Sequence, residues 1–153
     1  MDKTIIVHPI GKVNRTDGKV SIQLEADVTK GLRQLEHFSH VIVLWWADRQ
    51  DSEEQRSIYE TIPPYAPEHL TGVFACRSEY RPNPIAVSVC PIVSVDIDTG
   101  TLVVTEIDAY DGTPVLDLKA YFPVIDKVEK PRLPSWLSGW PEFMPENGIG
   151  IME

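Results

Sequence analysis

Apolar and polar residues alternate along much of this chain. Val20, Ile22 and Leu24 take turns with Lys19, Ser21, Gln23 and Glu25, directly after the turn signal Asp17-Gly18. Period-two alternation of this kind predicts a half-buried strand. A longer instance places Ile85, Val87, Val89, Val93, Val95 and Ile97 in one register, with Pro91 among them, opposite Ala86, Ser88, Cys90, Ser94 and Asp96. An alternating segment of that length with a proline inside it predicts a strand that bends or bulges, as barrel corners require. The unbroken run Val41 to Trp46 predicts a central strand, and Thr71 to Cys76 a second strand candidate. After the turn Asp98-Thr99-Gly100, Leu102 to Ile107 returns the chain, most simply antiparallel. Near the start, Ile5 to Val7 and Ile10 to Val13 flank His8-Pro9 and predict a strand interrupted by proline.

Helical signals are few. Leu32, Leu35 and Phe38 lie three apart within Thr29 to Phe38, enough for a short helix or a turn of one. With β-branched residues abundant and no βαβ rhythm, the predicted fold is all-β or β-rich: an antiparallel β barrel with short helices. Ile62-Pro63-Pro64-Tyr65-Ala66-Pro67 is too rich in proline for helix and predicts an extended surface excursion. Downstream of Lys130, Pro131, Pro134, Pro141 and Pro145 alternate with Trp136, Trp140, Phe143 and Met144. That composition excludes one regular helix, yet it is too aromatic for a disordered tail. The expected organisation is therefore a barrel domain over 1–129 and an aromatic, proline-rich extension over 130–153, packed on the barrel or on a dimer partner.

Composition narrows the partners. The chain has 153 residues, suiting one core, and a formal net charge of −9, which argues against broad attraction to polyanions. From Pro82 to Leu118 there is no lysine or arginine, while Asp96, Asp98, Glu106, Asp108, Asp111 and Asp117 all fall there. Any surface for nucleic acid must then be local, built from Arg77, Arg81, Lys119, Lys127, Lys130 and Arg132. The longest apolar run is far below membrane-spanning length, and Met1-Asp2-Lys3-Thr4 does not read as a secretory leader, so a cytoplasmic protein is expected. Cys76 and Cys90 sit in apolar stretches and read as buried thiols. The histidines, His8, His37, His40 and His69, complete no ligand set with cysteine or carboxylate, so no metal is expected. Neither G-x-G-x-x-G nor a Walker loop occurs, which disfavours nicotinamide chemistry and phosphate-loop hydrolysis.

Two polar blocks carry the candidate chemistry. In Gly72-Val-Phe-Ala-Cys-Arg-Ser-Glu-Tyr-Arg-Pro-Asn-Pro-Ile-Ala86, Pro82 and Pro84 fix their own φ and push Arg81 and Asn83 away from the helical region. Polar side chains on so stiff a backbone suit either a preformed ligand surface or a rigid turn. In the second block, Asp111-Gly112 marks a tight turn, Thr113-Pro114 restores extended backbone, and Asp117 and Lys119 share one face of a strand. That pair forms either a surface ion pair or one wall of a cleft opposite Arg77 and Arg81.

These two blocks, with Gly31-Leu-Arg-Gln-Leu-Glu-His-Phe-Ser-His40 upstream, resemble the signature blocks of the TsaA-like (UPF0066) family. The likeness runs from about Ile6 to Pro123, departing where the family's usual glycine is Ala86 and its usual proline is Ala120. The family includes a bacterial tRNA methyltransferase acting at N6 of threonylcarbamoyladenosine. The resemblance implies a β barrel, generally dimeric, that binds S-adenosylmethionine, and hence a homodimer with tRNA among its candidate substrates. Carried onto this chain, it implies cofactor binding by Arg77, Ser78, Arg81, Pro82, Asn83 and Pro84, with Phe74 and Ala75 as wall. Asp111, Gly112, Thr113 and Pro114 would form the opposite side. Asp111, Asp117 and Lys119 are the catalytic candidates, as proton acceptor or substrate anchor. The resulting expectation is an S-adenosylmethionine-dependent methyltransferase. Its alternatives are a small-molecule methyltransferase and a non-enzymatic S-adenosylmethionine sensor or interaction module.

Overall fold

The computed structural model describes residues 3–149. Eight strands follow in chain order: β1 (Gly11–Thr16), β2 (Lys19–Leu24), β3 (His40–Trp46), β4 (Glu60–Thr61), β5 (Thr71–Gly72), β6 (Ile85–Asp96), β7 (Thr101–Val104) and β8 (Pro114–Ala120). Six of them close a barrel in the order β1-β2-β7-β6-β3-β8, every neighbouring pair antiparallel, while β4 and β5 form a separate ribbon. Closure pairs each of the six barrel strands on both sides.

The β1–β2 hairpin turns on Asp17 and Gly18, with φ of 54° and 73°. Positive φ at both central residues matches the right-handed twist of the flanking strands, and Asp-Gly is the pair that adopts it most readily. Alternation then sends Val13, Ile22, Val41, Val43, Leu102 and Val115 fully inward. Burial of each such side chain contributes about 1.5–3 kcal/mol before entropy is counted.

Strand β6 departs from the simplest reading of its pattern. Ala86, Ser88 and Cys90 face the interior, and Ile85, Val87 and Val89 stand outside at 42%, 45% and 53% exposure. The reason lies in the neighbouring strand: buried Trp45 of β3 fills the lumen, and its indole N–H donates to Ser88 Oγ at 3.0 Å. Small residues are what fits beside it. The register shifts between Ile92 and Ser94, leaving Val93 as the extra residue. Beyond that bulge Val95 and Ile97 pack inward, because one inserted residue exchanges the two faces.

The expected strand at Ile5 to Val7 is not formed. These residues are exposed, and β1 begins only at Gly11, paired with Leu24 of β2 and Val115 of β8. Thr71 to Cys76 is likewise shorter than expected: pairing stops at Gly72, and Val73–Ala75 coil into a single tight turn that buries Val73. The predicted helix near Thr29 resolves into two such turns, Thr29–Leu32 and Leu35–His37, which seat Leu32 and Leu35 against the barrel. Two short helices complete the fold, α1 (Glu53–Arg56) and α2 (Pro123–Asp126). The aromatic extension lies on the proline-rich excursion: Trp136 stacks on His69 with centroids 4.1 Å apart, and Trp140 meets Tyr65 edge-on at 5.0 Å. Among the described residues no helix is long and apolar enough to cross a membrane.

Candidate functional site

The first polar block leaves β5, and its two arginines have separate tasks. Arg81 turns back on its own loop, donating to the carbonyl oxygens of Ser78 at 2.9 Å, Val73 at 3.0 Å and Cys76 at 3.4 Å. It is a pin: three carbonyls that would otherwise splay are gathered by one guanidinium. Arg77 is exposed and enters none of these bonds. Ser78 Oγ accepts the N–H of Tyr80 at 3.2 Å, a local turn lock. From outside the block, Arg56 donates through Nε to the Pro82 carbonyl at 2.7 Å and through Nη2 to Asn83 Oδ1 at 3.1 Å. Helix α1 holds Arg56 in place with a capping box, in which Ser52 and Gln55 satisfy each other's backbone N–H groups. Pro84 is buried, Pro82 partly so, and Phe74 stands 82% exposed beside solvent-facing Ala75.

The second block is sewn to β1. Asp111 Oδ1 accepts the backbone N–H of Arg15 at 2.7 Å, Gly112 donates to the Val13 carbonyl at 2.8 Å, and the Thr113 carbonyl accepts from Val13 at 2.9 Å. Gly112 takes φ of 81°, which costs a side-chain-bearing residue dearly and glycine nothing. Arg15 completes the seam: its guanidinium reaches the carbonyl oxygens of Ala109, at 2.9 Å, and Ile107, and pairs with Glu106 at 2.9 Å.

Both blocks meet where β3 ends. Ala47 donates to the Pro84 carbonyl at 2.9 Å, tying the first block to this exit, and the Arg49 guanidinium lies 4.1 Å from the ring centroid of Tyr110, tying in the second. Between them is a notch lined by Trp45, Ala47, Asp48 and Arg49 from the β3 exit, Glu79 from the first block, and Tyr110 and Thr113 from the second. Its enclosed volume is about 10 Å³, room for a water, so a larger ligand must lie across the notch on the open surface between the blocks. Burial raises the proton affinity of Glu79, and the charge of Asp108 adds to it. Asp108 is raised in the same way, chiefly by burial and further by Glu106, with Arg15 opposing. The notch thus offers a stacked cation, an aromatic face and, in Glu79, a carboxylate that holds its proton more readily than usual, with Asp108 coupled to it.

Asp117 and Lys119 stand elsewhere. They lie three and five residues beyond Pro114 along β8, roughly 10 and 17 Å of extended strand past the turn that holds Asp111. There they pair with each other at 2.8 Å on the outer side of β8, which raises the Lys119 pKa through the Asp117 hydrogen bond and charge. Arg15, Arg49, Arg56 and Glu79 were not singled out from sequence. Each acts through contacts with segments far away in the chain, and none belongs to a periodic pattern. Cys76 and Cys90 are both buried free thiols, and burial pushes Cys90 up to about 12, which keeps it inert.

Residues 7–127 match the family described as the tRNA-methyltransferase O N-terminal domain. The chain belongs to that family. Among its relatives, an S-adenosyl-L-methionine-binding protein of Archaeoglobus fulgidus is 36% identical over 75% of this chain and 78% of its own length. The tRNA (adenine(37)-N6)-methyltransferase of Escherichia coli is 30% identical over 83% of this chain, which spans 54% of that enzyme. A probable S-adenosyl-L-methionine-binding protein, also from Archaeoglobus fulgidus, is 39% identical over 79% of this chain, but the chain spans only 30% of it. The crystal structure of TrmO from Pseudomonas aeruginosa superposes with a TM-score of 0.68 at 28% identity, covering 88% of this chain and 62% of that one. The match region contains both polar blocks and the β3 exit between them.

Proposed function

We propose that this family member is an S-adenosylmethionine-dependent methyltransferase whose site is the surface between the two polar blocks. The observation that carries the reading is their convergence at the β3 exit, around Arg49, Glu79 and Tyr110, in a chain of this family. The side chains present fit the cofactor in kind. Arg77, free of its loop's internal bonds, suits a carboxylate; exposed Tyr110 offers aromatic surface to a purine; Glu79 and Asp108 suit a cationic centre. Pro82, Asn83 and Pro84 would present the backbone that lies along it, with Arg81 and Arg56 keeping that backbone fixed. Ser78, Gly112, Thr113 and Pro114 would border the same surface.

When bound, the cofactor supplies a methyl group on a positively charged sulfur. This chain's part is to hold the acceptor nitrogen in line and to remove its proton as the new N–C bond forms. Glu79 and Asp108 are suited to take that proton, since their affinity for it is raised. Asp111 retains one free carboxylate oxygen but is committed through the other to Arg15. We assign Asp117 and Lys119 no contact with the reacting atoms.

For the acceptor, we propose N6 of a threonylcarbamoyl-modified adenosine in tRNA, a reading supported by the likeness to the Escherichia coli enzyme. A small-molecule acceptor is favoured by a different observation: Glu79, Asp108 and Glu106 cluster beside the notch on a chain of net charge −9, which opposes approach of a phosphate backbone. Purified protein should be titrated with S-adenosylmethionine and then incubated with unmethylated tRNA and with free nucleosides. Saturable cofactor binding with methylated tRNA supports the first reading, and methylated nucleoside alone supports the second. Cofactor binding without turnover on any acceptor would leave a cofactor sensor. Absence of binding at millimolar cofactor would refute all three.

A further inference from the structure

Ala66, Val73 and Cys76 are buried, yet none of them belongs to the barrel core. Ala66 comes from the proline-rich excursion, while Val73 and Cys76 lie at the start of the first polar block. Their burial therefore comes from packing outside the barrel, in a small second core at the root of that block. The Cys76 thiol donates to the Val73 carbonyl oxygen at 3.7 Å, and Arg81 gathers the carbonyls of the same two residues.

Tyr65 connects this core to the aromatic extension. Its pKa is raised chiefly by burial and further by Cys76, with Arg77 opposing, so its hydroxyl stands within electrostatic reach of both residues. Its other neighbour is Trp140, edge-on at 5.0 Å, and four residues further along His69 carries Trp136 stacked at 4.1 Å. Among the described residues, every hydrogen bond made by 128–149 stays within that segment, and the segment enters no ion pair. Packing alone fastens the extension, and the two aromatic pairs are where it meets the excursion. The first block needs such support, because it has no strand pairing between Gly72 and Ile85. What packs behind it decides where Arg77 stands.

We propose that Trp140 is a positioning residue of the cofactor site: by holding Tyr65 it keeps the second core closed, and the closed core sets Arg77 toward the ligand. The proposal rests on the S-adenosylmethionine reading of the first block. It gives Trp140 no contact with cofactor or acceptor. A cluster with so few buried apolar side chains opens independently of a larger core, so loss of one aromatic contact releases it while the barrel stays closed. The extension, which lies beyond the residues matched to the family, thereby becomes part of the binding machinery.

The two cysteines report on the two cores separately, Cys76 on the small one and Cys90 on the barrel. In the intact chain, iodoacetamide labelling of Cys76, read by mass spectrometry, should be about tenfold faster in Trp140→Ala than in wild type, with Cys90 unchanged. The same variant should bind S-adenosylmethionine about tenfold more weakly by calorimetry. Trp140→Phe, which keeps an aromatic ring against Tyr65, should restore both. Tyr65→Ala should reproduce Trp140→Ala, and the double variant should lose no more affinity than either alone, because both remove one contact. Unchanged Cys76 labelling in Trp140→Ala would overturn the proposal, as would joint exposure of Cys76 and Cys90, which would make the extension a brace for the whole barrel. Wild-type protein that binds no S-adenosylmethionine refutes the cofactor reading itself. Wild-type affinity in Trp140→Ala refutes this proposal alone.

Discussion

Arg56 Nε donates to the carbonyl oxygen of Pro82 at 2.7 Å, and this contact fastens a loop to a helix of only four residues. The loop has no strand pairing between Gly72 and Ile85, so its shape depends on guanidinium groups. Arg56→Ala should destabilise the fold by about 1–3 kcal/mol, the cost of leaving polar groups unpaired at a charge-assisted bond. Arg81→Ala, which frees three carbonyls, should cost at least as much. Urea unfolding would measure both, and a change under 0.3 kcal/mol for Arg81→Ala would show that the loop holds its shape without the pin.

Arg77 should behave oppositely. It is exposed and takes no part in the loop's internal bonds, so Arg77→Ala should leave melting unchanged while weakening S-adenosylmethionine binding by about 10–100-fold, the worth of one charge-assisted contact. Equal losses of stability and affinity would instead make Arg77 a structural residue.

Glu79 and Asp108 bind protons more tightly in the folded protein than free carboxylates do. Between the ordinary carboxylate pKa and the raised folded value, the native state therefore holds more protons than the unfolded chain. Stability contributed by these groups is greatest in acid and falls as pH rises through that window. Glu79→Gln should raise Tm at pH 7 and flatten the decline of Tm just above the ordinary carboxylate range. A decline as steep in Glu79→Gln as in wild type would remove Glu79 from this account. If Glu79 also receives the acceptor's proton, the variant should lower kcat by about 10²–10⁴-fold with cofactor affinity retained.

The outer face of β3 and β6 carries Ile85, Val87 and Val89, opposite Trp46, Leu44 and Ile42. An apolar band of this kind on a sheet suits burial against another surface, and we propose that the expected homodimer forms there. Val87→Glu should yield a monomer by light scattering with the barrel's circular dichroism retained. A wild-type monomer, or an unaltered dimer in Val87→Glu, would exclude this face.

Alternation, with few helical signals and many β-branched residues, pointed to a β-rich antiparallel fold, located the hairpin at Asp17-Gly18, and anticipated the bend in β6, because side-chain period and turn chemistry are local properties. The two polar blocks were legible for the same reason, since prolines and an Asp-Gly turn declare themselves within a few residues. Which face of β6 points inward was not legible. Valines and small residues alternate there with equal regularity, and the choice was made by Trp45 on another strand, whose indole fills the lumen and bonds to Ser88. The fate of the arginines was decided in the same way. Arg77 and Arg81 look alike in sequence, yet one is free and the other bonds to three carbonyls. Asp117 and Lys119 belong to the same motif as Asp111, but an extended strand carries them away from it. The sequence determined the elements and the residues able to do chemistry. Tertiary structure decided which of them share a surface, because barrel closure, unlike strand formation, depends on contacts between residues distant in the chain.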